Sequence, residues 1–359
     1  MPAPPPYRSL FDSVIADTLG QAVRIIAKDP ALAIPGAAIV RHQRSAARVR
    51  EKNRKEGLLV PPVIIASITS RCNLTCAGCY MHGRATPAAE MSGDLLASIA
   101  DQAAALGVSV MVIAGGEPLV RREEIFRMAG AHPAILFPVF TNGLLIDDAM
   151  ADALAGCRNI VPVISFEGFQ KDTDLRRGSG VYDKLLASCA RLDDRHVFFG
   201  CSVTTTKENF DRVTAGAFVR QMTGMGVRVF TYVEYVPMEP GTGRLVLSGE
   251  QKKELGTRLT AFGREFPALF IGFPGDEDSY GGCLAAGRGF VHISPLGDLE
   301  PCPAAPVSDR NLIAVPLADG LHSRILARIR EDPGLLTESE GGCALRANRA
   351  RMQENLSGR

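Results

Sequence analysis

From Pro62 onward, short apolar runs alternate with segments of helical periodicity, and this alternation constrains the fold more than any other feature. Such alternation predicts βα units and a parallel sheet. The predicted strands are 63–69, 108–114, 134–141, 160–166, 197–204 and 227–236, and the helical segments are 92–106, 122–129, 147–155, 182–190, 215–225 and 248–266. Ser92 and Ser248 stand where N-caps belong. Six units predict an α/β fold, an incomplete (β/α)6 TIM-like barrel, whose chemistry lies at the C-terminal strand ends.

The composition narrows the class of protein. A chain of 359 residues with 46% hydrophobic residues is long enough for a barrel-sized core and a smaller module. Its 40 basic and 39 acidic residues leave a net charge of +1, which argues against a nucleic-acid partner. An odd cysteine count, nine, without a visible signal peptide favours a cytoplasmic location and metal ligation over disulfides.

We expect three regions: an N-terminal helical extension (1–60), the partial barrel (61–268) and a small C-terminal module (269–359). Residues 10–27 carry apolar side chains at near-helical spacing, and a basic run follows between Arg41 and Lys55. An amphipathic helix followed by basic residues can lie peripherally on an anionic membrane. The alternative, which we favour, is a helix packed on the barrel with a solvated charged extension. No stretch approaches the ~20 apolar residues that span a bilayer.

Three cysteines follow the first predicted strand directly: Cys72, Cys76 and Cys79, with the spacing C-x3-C-x2-C. Three thiolates on one loop can hold three irons of a four-iron cluster and leave the fourth open to a small molecule. Buried apolar cysteines are one alternative. Zinc is another, but zinc sites usually pair C-x2-C with a second pair or with histidines, and no second pair follows within 60 residues.

With Tyr80 as the aromatic residue after the third cysteine, this segment resembles the signature of the radical S-adenosylmethionine (SAM) superfamily. The resemblance implies a [4Fe–4S] cluster on Cys72, Cys76 and Cys79 that binds SAM and cleaves it reductively. The resulting 5′-deoxyadenosyl radical would abstract hydrogen from a substrate carbon, as in oxidoreductases and maturases of this superfamily. Such an enzyme also needs an electron donor such as ferredoxin or flavodoxin.

The resemblance extends to the ends of the next three strands. The second ends in Gly115-Gly116-Glu117-Pro118, which in the family contacts the amino group of SAM. Two glycines let a backbone approach a ligand closely, and a carboxylate can receive an ammonium group. The third ends in Thr141-Asn142-Gly143, which lines the SAM pocket in the family. The fourth ends in Ser165-Phe166-Glu167-Gly168, where the family usually has Ser-Leu-Asp-Gly near the ribose.

Two further segments add candidates. The stretch 173–180 resembles the H-D-x-x-R-G segment of SPASM-type members, with Thr173 in place of the histidine, and Arg177 is either a SAM or substrate contact or a surface-loop arginine. The sixth strand offers Tyr232, Glu234 and Tyr235. Alternation places Tyr232 and Glu234 on one face. They approach the substrate if that face lines the barrel, and otherwise they are wall residues.

A second cysteine group lies in the C-terminal module. Cys283 and Cys302, with Gly297 between them, match the opening of SPASM and twitch modules, which bind auxiliary clusters. A turn around Gly297 implies a hairpin that brings these two cysteines together. Cys343 is a plausible third ligand, and the absence of a later cysteine run limits the module to one auxiliary [4Fe–4S] cluster. The remaining cysteines, Cys157, Cys189 and Cys201, are expected in the core.

Several substrates remain open. A peptide or protein side chain would fit a SPASM-type enzyme, and a small molecule would fit the molybdopterin-precursor cyclase, which also has a second cluster. A lipid or isoprenoid is favoured only by the N-terminal segment. A different class is a cluster-bearing binding or electron-transfer protein, which would have no need for the glycine-rich and Thr-Asn-Gly segments.

Overall fold

One nine-stranded sheet organises the protein, in a computed structural model that describes residues 18, 21, 25, 30–81, 89–239, 241–274, 281–337, 343–349 and 351–352. The strands are β1 (Val63–Thr69), β2 (Val110–Gly115), β3 (Phe137–Thr141), β4 (Ile160–Phe166), β5 (Gly200–Thr205), β6 (Val229–Glu234), β7 (Leu269–Phe273), β8 (Phe290–Ile293) and β9 (Leu299–Glu300). Their order across the sheet is β7-β6-β5-β4-β3-β2-β1-β8-β9. All neighbours pair in parallel except β8 and β9. The predicted α/β architecture with an unclosed parallel sheet is confirmed.

Helices connect the strands. They are α1 (Pro30–Lys55), α2 (Gly93–Leu106), α3 (Arg122–Ala131), α4 (Asp148–Gly156), α5 (Gln170–Arg177), α6 (Val181–Asp194), α7 (Phe210–Val213), α8 (Gly216–Gly224), α9 (Gly249–Glu265), α10 (Leu317–Leu321), α11 (Arg324–Glu331), α12 (Pro333–Leu336) and α13 (Ala344–Ala347), with 3-10 turns at Pro118–Arg121 and Thr242–Leu245. Both predicted N-caps are confirmed, because the side chains of Ser92 and Ser248 accept from the backbone N–H groups of Leu95 and Gln251.

The two faces of the sheet differ in burial on β1, β2 and β3. Strands that follow one another in chain order with right-handed crossovers place their helices on a single outer face. Outer-face side chains such as Ile64, Ala66 and Ile68 are fully buried, whereas their inner-face neighbours Val63 and Ile65 are only half-buried. The register of the paired strands assigns to the same inner face Ser67, Val112, Ala114, Pro138, Phe140, Val161, Val163, Ser165, Gly200, Ser202, Thr204, Val229, Thr231, Val233, Leu269, Ile271 and Phe273.

The sheet extends beyond the six predicted units. Strand β7 pairs with β6, and β8 pairs with the other side of β1, so segments assigned to the C-terminal module contribute strands to the barrel sheet. The predicted hairpin is confirmed as β8–β9, with Gly297 at a φ of 85° in its turn. Sequence periodicity did not reveal β7 and β8 as members of this sheet, because short strands are placed by their neighbours rather than by their own pattern. The boundary at residue 269 stays a prediction.

The N-terminal helix packs at the end of the sheet away from the cysteine loop. Gln43, Arg50 and Asn53 donate to the carbonyls of Ser109, Gly107 and Leu106, which precede β2. Further upstream, Ile25 is buried against Val229 and Leu269. This supports the packed-helix interpretation for the described part, while residues 10–27 of the predicted amphipathic segment lie outside it except for residues 18, 21 and 25. None of the described helices combines the length and the apolar character that a bilayer span requires. Peripheral membrane contact stays a prediction.

Candidate active site

The loop of Cys72, Cys76 and Cys79 follows β1 at the C-terminal edge of the sheet. Cys72 is exposed, and Cys76 and Cys79 are half-buried. Burial raises the pKa of the Cys72 and Cys76 thiols, and a charge on Cys79 would raise both further, so the three sulfurs lie close enough to interact electrostatically. Three soft donors on one loop have the chemistry that an iron–sulfur cluster requires, although no three cysteine, histidine or carboxylate side chains of the described residues converge at metal-binding distance. Since metals bind thiolates, loading this site would release protons.

Helix α5 holds this loop in place through Arg176. The Arg176 carbonyl accepts from the Ala77 N–H at 3.0 Å, and its guanidinium Nε donates back to the Ala77 carbonyl at 3.0 Å. Nη2 reaches the carbonyl of Gly78 at 3.5 Å. Arg176 lies within the stretch 173–180, for which the sequence motif indicated only Arg177 as a candidate. Its function depends on a loop about 100 residues away in the chain, which no local pattern reveals.

Glu167 is the acceptor for two arginines. Arg176 Nη1 donates to Oε2 at 2.7 Å, and Arg177 donates to Oε1 from Nε at 3.0 Å and from Nη2 at 2.6 Å. The carboxylate and the Arg177 side chain are both largely buried, and Arg177 is the last residue of α5, so the surface-loop alternative for Arg177 is wrong. A contact of Arg177 or Glu167 with SAM stays a prediction. Thr173, in the place of the family histidine, accepts from the Glu167 N–H and donates to the Gly168 carbonyl.

Glu117 ties the glycine-rich segment to the end of β3. Its Oε1 accepts from the Leu119 N–H at 2.9 Å and from the Thr141 hydroxyl at 2.7 Å, and its Oε2 accepts from the Asn142 N–H at 2.7 Å. Burial raises the pKa of Glu117 in spite of these hydrogen bonds. The carboxylate is therefore engaged within the protein, and the backbone of this segment is the better candidate to meet SAM.

The two glycines of this segment have a packing role. A Cβ on Gly115, which has a φ of 137°, would lie 2.3 Å from the Thr69 carbonyl oxygen. One on Gly116 would lie 2.2 Å from that of Arg71. Because neither glycine has a side chain, both leave space for the backbone that leads from β1 into the cysteine loop. Pro118 begins the 3-10 turn that Glu117 caps.

Two contacts join these segments to the cysteine loop. The Asn142 amide donates to Asn73 Oδ1 at 2.6 Å and lies 3.7 Å from the Cys72 sulfur. The Tyr80 hydroxyl donates to the Gly115 carbonyl at 3.5 Å. The predicted residues Tyr80, Gly115, Glu117, Thr141 and Asn142 therefore lie together around the loop, as parallel strand ends require.

On the inner face, Ser165 accepts a hydrogen bond from Ser202 on β5 at 3.2 Å. Tyr232 and Glu234 lie on the outer face instead, because Tyr232 pairs in register with the core residue Val203. The Tyr232 hydroxyl donates to the Val213 carbonyl at 2.9 Å, and Glu234 lies 3.1 Å from Lys252 Nζ. The interpretation of these two residues as substrate contacts is therefore wrong, and they belong to the wall.

The second cysteine group is more enclosed. Cys283 and Cys302 are buried, and Cys343 is half-buried. The Cys283 N–H donates to the Leu336 carbonyl at 2.8 Å, at the end of α12, and this helix packs against α13, whose N-cap is Cys343. Ala286 N–H donates to the carbonyl of Pro301, next to Cys302. The backbone thus brings the three positions into one region, while their role as ligands stays a prediction.

Two of the cysteines expected in the core are confirmed there. Cys189 and Cys201 are buried, and burial raises the pKa of Cys189 to about 12. Cys157 is only half-buried and its thiol donates to Asn159 Oδ1 at 3.4 Å.

A buried hydrogen-bonded chain escaped the sequence analysis. Ser67 Oγ lies 2.8 Å from His292 Nε2, and His292 Nδ1 lies 2.7 Å from Glu300 Oε2. Both contacts lie on the inner face, since Ile65 pairs with His292 and His292 with Glu300. These hydrogen bonds hold the β8–β9 hairpin against β1. Only the pairing of β8 with β1 creates them, so the sequence holds no local signal for them.

Comparisons with known proteins agree with this geometry. Residues 66–214 match the model of the Radical SAM superfamily. The AdoMet-dependent heme synthase of Methanosarcina barkeri is 25% identical over 316 residues, covering 79% of this chain and 88% of that protein. The mycofactocin maturase MftC of Mycolicibacterium smegmatis is 28% identical over 310 residues, covering 81% of this chain and 76% of that protein.

Two solved structures share the fold. Streptococcus suis SuiB bound to S-adenosylmethionine superposes with a TM-score of 0.61 at 19% identity, covering 75% of this chain and 67% of that one. Native anSMEcpe with bound AdoMet gives a TM-score of 0.60 at 17% identity, covering 78% and 88%.

Proposed function

We propose that this chain is a radical SAM enzyme that cleaves SAM reductively at a [4Fe–4S] cluster held by Cys72, Cys76 and Cys79 to abstract hydrogen from a substrate carbon, which the match of residues 66–214 supports. One observation carries the proposal. The three interacting thiols stand at the C-terminal end of β1, and Asn142 and Glu117 connect them to the glycine-rich and Thr-Asn-Gly segments. When bound, the cluster and SAM supply an electron and a 5′-deoxyadenosyl radical.

The residues of this chain have distinct tasks in this proposal. Cys72, Cys76 and Cys79 would each hold one iron. Glu117 fixes the backbone of Gly115, Gly116 and Pro118 beside Asn142, where the amino-acid end of SAM would bind. Ser165 on the inner face and Tyr80 on the loop would line the rest of the pocket. The Glu167 pairs with Arg176 and Arg177 keep the loop in position, which supports a fixed reacting geometry.

The inner face shapes the choice of substrate. Within the described residues of β1 to β7, its side chains are apolar or carry hydroxyl groups, and none is charged. Such a surface excludes water and protects a reactive radical. It favours a neutral group at the carbon that loses hydrogen, on a peptide side chain or on a small molecule. The relatives include proteins named maturase, heme synthase and PqqA peptide cyclase, so both classes are represented.

Further elements complete the proposal. An electron donor such as ferredoxin or flavodoxin would reduce the cluster, and Cys283, Cys302 and Cys343 would hold an auxiliary [4Fe–4S] cluster. An apolar lipid or isoprenoid is the second candidate substrate, favoured by the uncharged inner face of β1 to β7 and by the exposed arginines Arg41, Arg44 and Arg48 of α1.

The test is SAM cleavage by anaerobically reconstituted protein. The reduced wild type should form 5′-deoxyadenosine, and Cys72→Ala, Cys76→Ala and Cys79→Ala should each abolish it, because each thiolate holds one iron. Cys157→Ala is the matched control, since this thiol lies in another region and contacts Asn159. Cleavage at the wild-type rate in any of the three loop variants would refute the assignment.

A further inference from the structure

A tyrosine hydroxyl is buried beside the cysteine loop. Tyr235 is 4% exposed, and its hydroxyl has no hydrogen-bond partner among the residues that the structure describes. The hydroxyl lies against Gly78, where an added Cβ would be 3.0 Å from Oη. Gly78 stands between Cys76 and Cys79 and has a φ of 65°. This glycine thus lets the loop pass over the phenol, and the hydroxyl is directed at the loop that carries the thiols.

The register of β6 explains why Tyr235 reaches the loop. Successive side chains along a strand point to opposite faces of the sheet. Tyr232 and Glu234 point to the helices, so Tyr235, the residue after Glu234, points to the inner side at the C-terminal end of the strand. Its N–H donates to the Thr205 carbonyl at 3.0 Å, which continues the ladder and fixes the backbone. The ring therefore has a defined direction.

Other buried tyrosines of the barrel are satisfied within the protein. The Tyr232 hydroxyl donates to the Val213 carbonyl, and the Tyr182 hydroxyl accepts from Gln221. Burying a hydroxyl without a partner is unfavourable. The missing partner of Tyr235 is therefore expected in a group that binds next to Gly78. A cluster on the flanking cysteines would place negatively charged sulfur atoms there, and such atoms accept hydrogen bonds.

We propose that the Tyr235 hydroxyl donates a hydrogen bond to a thiolate or sulfide sulfur of the cluster held on this loop. The proposal rests on the proposed function, because it requires that cluster. Reduction adds a negative charge to the cluster, and a donor stabilises the reduced form more than the oxidised form. Tyr235 thus raises the reduction potential and makes the first electron easier to accept.

The experiment is a redox titration of the reconstituted full-length protein, followed by electron paramagnetic resonance without SAM. The relevant signal is identified beforehand as the one that changes when SAM is added. In Tyr235→Phe the cluster should be about three- to tenfold harder to reduce, and tenfold corresponds to a midpoint about 59 mV more negative. Tyr232→Phe, on the same strand but facing the helices, should leave the midpoint unchanged.

A second measurement addresses the contact directly. After exchange into deuterated water, electron–nuclear double resonance of the reduced wild type should show a deuteron coupled to the cluster, and Tyr235→Phe should lack it. If Tyr235→Phe has the wild-type midpoint potential in the absence of SAM, the proposal is overturned. This also holds if the variant differs from the wild type only when SAM is bound, because the hydroxyl then contacts SAM rather than the cluster. A wild type without any SAM-responsive signal refutes the proposed function itself.

Discussion

The two cysteine groups are held in opposite ways. Cys72, Cys76 and Cys79 stand on one short loop, open to solvent on one side and fastened by the charged hydrogen bonds of Arg176. Cys283, Cys302 and Cys343 come from distant parts of the chain and lie in or against the apolar core. A site that admits SAM and a substrate has to stay accessible, whereas an enclosed site is suited to a resident group. The contrast predicts different behaviour under the same chemical treatment.

Iron content gives the sharpest contrast. Wild-type protein should hold about eight irons, from two four-iron clusters. A variant without Cys72, Cys76 and Cys79 should keep about half of the iron and lose SAM cleavage. A variant without Cys283, Cys302 and Cys343 should also keep about half, and its remaining cluster should still respond to SAM. If the first variant retains no iron, the second cysteine group does not hold a cluster.

Thiol alkylation of iron-free protein should separate the groups next. Cys72 should react about a hundredfold faster than the buried Cys283 and Cys302, which require local opening. The thiolate is the reactive form, and burial raises the pKa of Cys72, so its rate should keep rising from pH 7 to pH 9. Mass spectrometry of quenched samples measures this. Equal alkylation rates for all three cysteines would show that the two groups do not differ in solvent access.

A pair of substitutions should then affect one region each. Arg176→Leu removes the loop anchor and one partner of buried Glu167, at a cost of about 1–3 kcal/mol, and should accelerate iron loss from the first site. His292→Leu removes the imidazole between Ser67 and Glu300 at a similar cost. It should leave the SAM-responsive signal in place. Chemical denaturation measures the loss of stability, and a chelator measures the rate of iron release. Equal rates of iron release from the first cysteine group in both variants would show that the two regions are not independent.

Glu117→Gln tests whether the glycine-rich segment is positioned by its carboxylate. The new amide group would face an N–H donor of Asn142 or Leu119, so we expect a loss of about 1–2 kcal/mol in the free energy of unfolding. SAM affinity should fall, measured by equilibrium binding to the reconstituted protein. Glu123→Gln, on the exposed side of α3, is the control. Unchanged affinity in Glu117→Gln would show that the segment does not depend on this anchor.

The smallest effect is expected at the N-terminal helix, which packs at the end of the sheet away from the first cysteine loop. Its basic face, including Arg41, Arg44 and Arg48, should give weak binding to anionic liposomes that declines with salt. Reversing these three charges should abolish binding and leave SAM cleavage unchanged. A cosedimentation assay decides this, and no binding at low salt would leave α1 with a packing role alone.

The sequence was informative wherever chemistry is encoded locally. The spacing of Cys72, Cys76 and Cys79, the glycine-rich segment and the N-caps at Ser92 and Ser248 were all readable in short windows. Contacts between side chains of different strands and helices could not be predicted, because they depend on strand register and on which strands pair at the edges of the sheet. For this reason Arg176 and His292 were missed, and the face of Tyr232 was left open. A shift of one residue along β6 exchanges Tyr232 for Tyr235 at the inner surface.

The pairing of β8 with β1 has a mechanical consequence. Strand β1 leads into the first cysteine loop, and the hairpin that β8 begins leads into Cys302, so adjoining strands of one sheet carry both groups. A hydrogen-bonded ladder is stiff, and if each cysteine group held a cluster, the ladder would keep the distance between the two clusters constant. Electron exchange across that distance would then be a property of the scaffold, independent of interdomain diffusion, and its rate should not change with solvent viscosity.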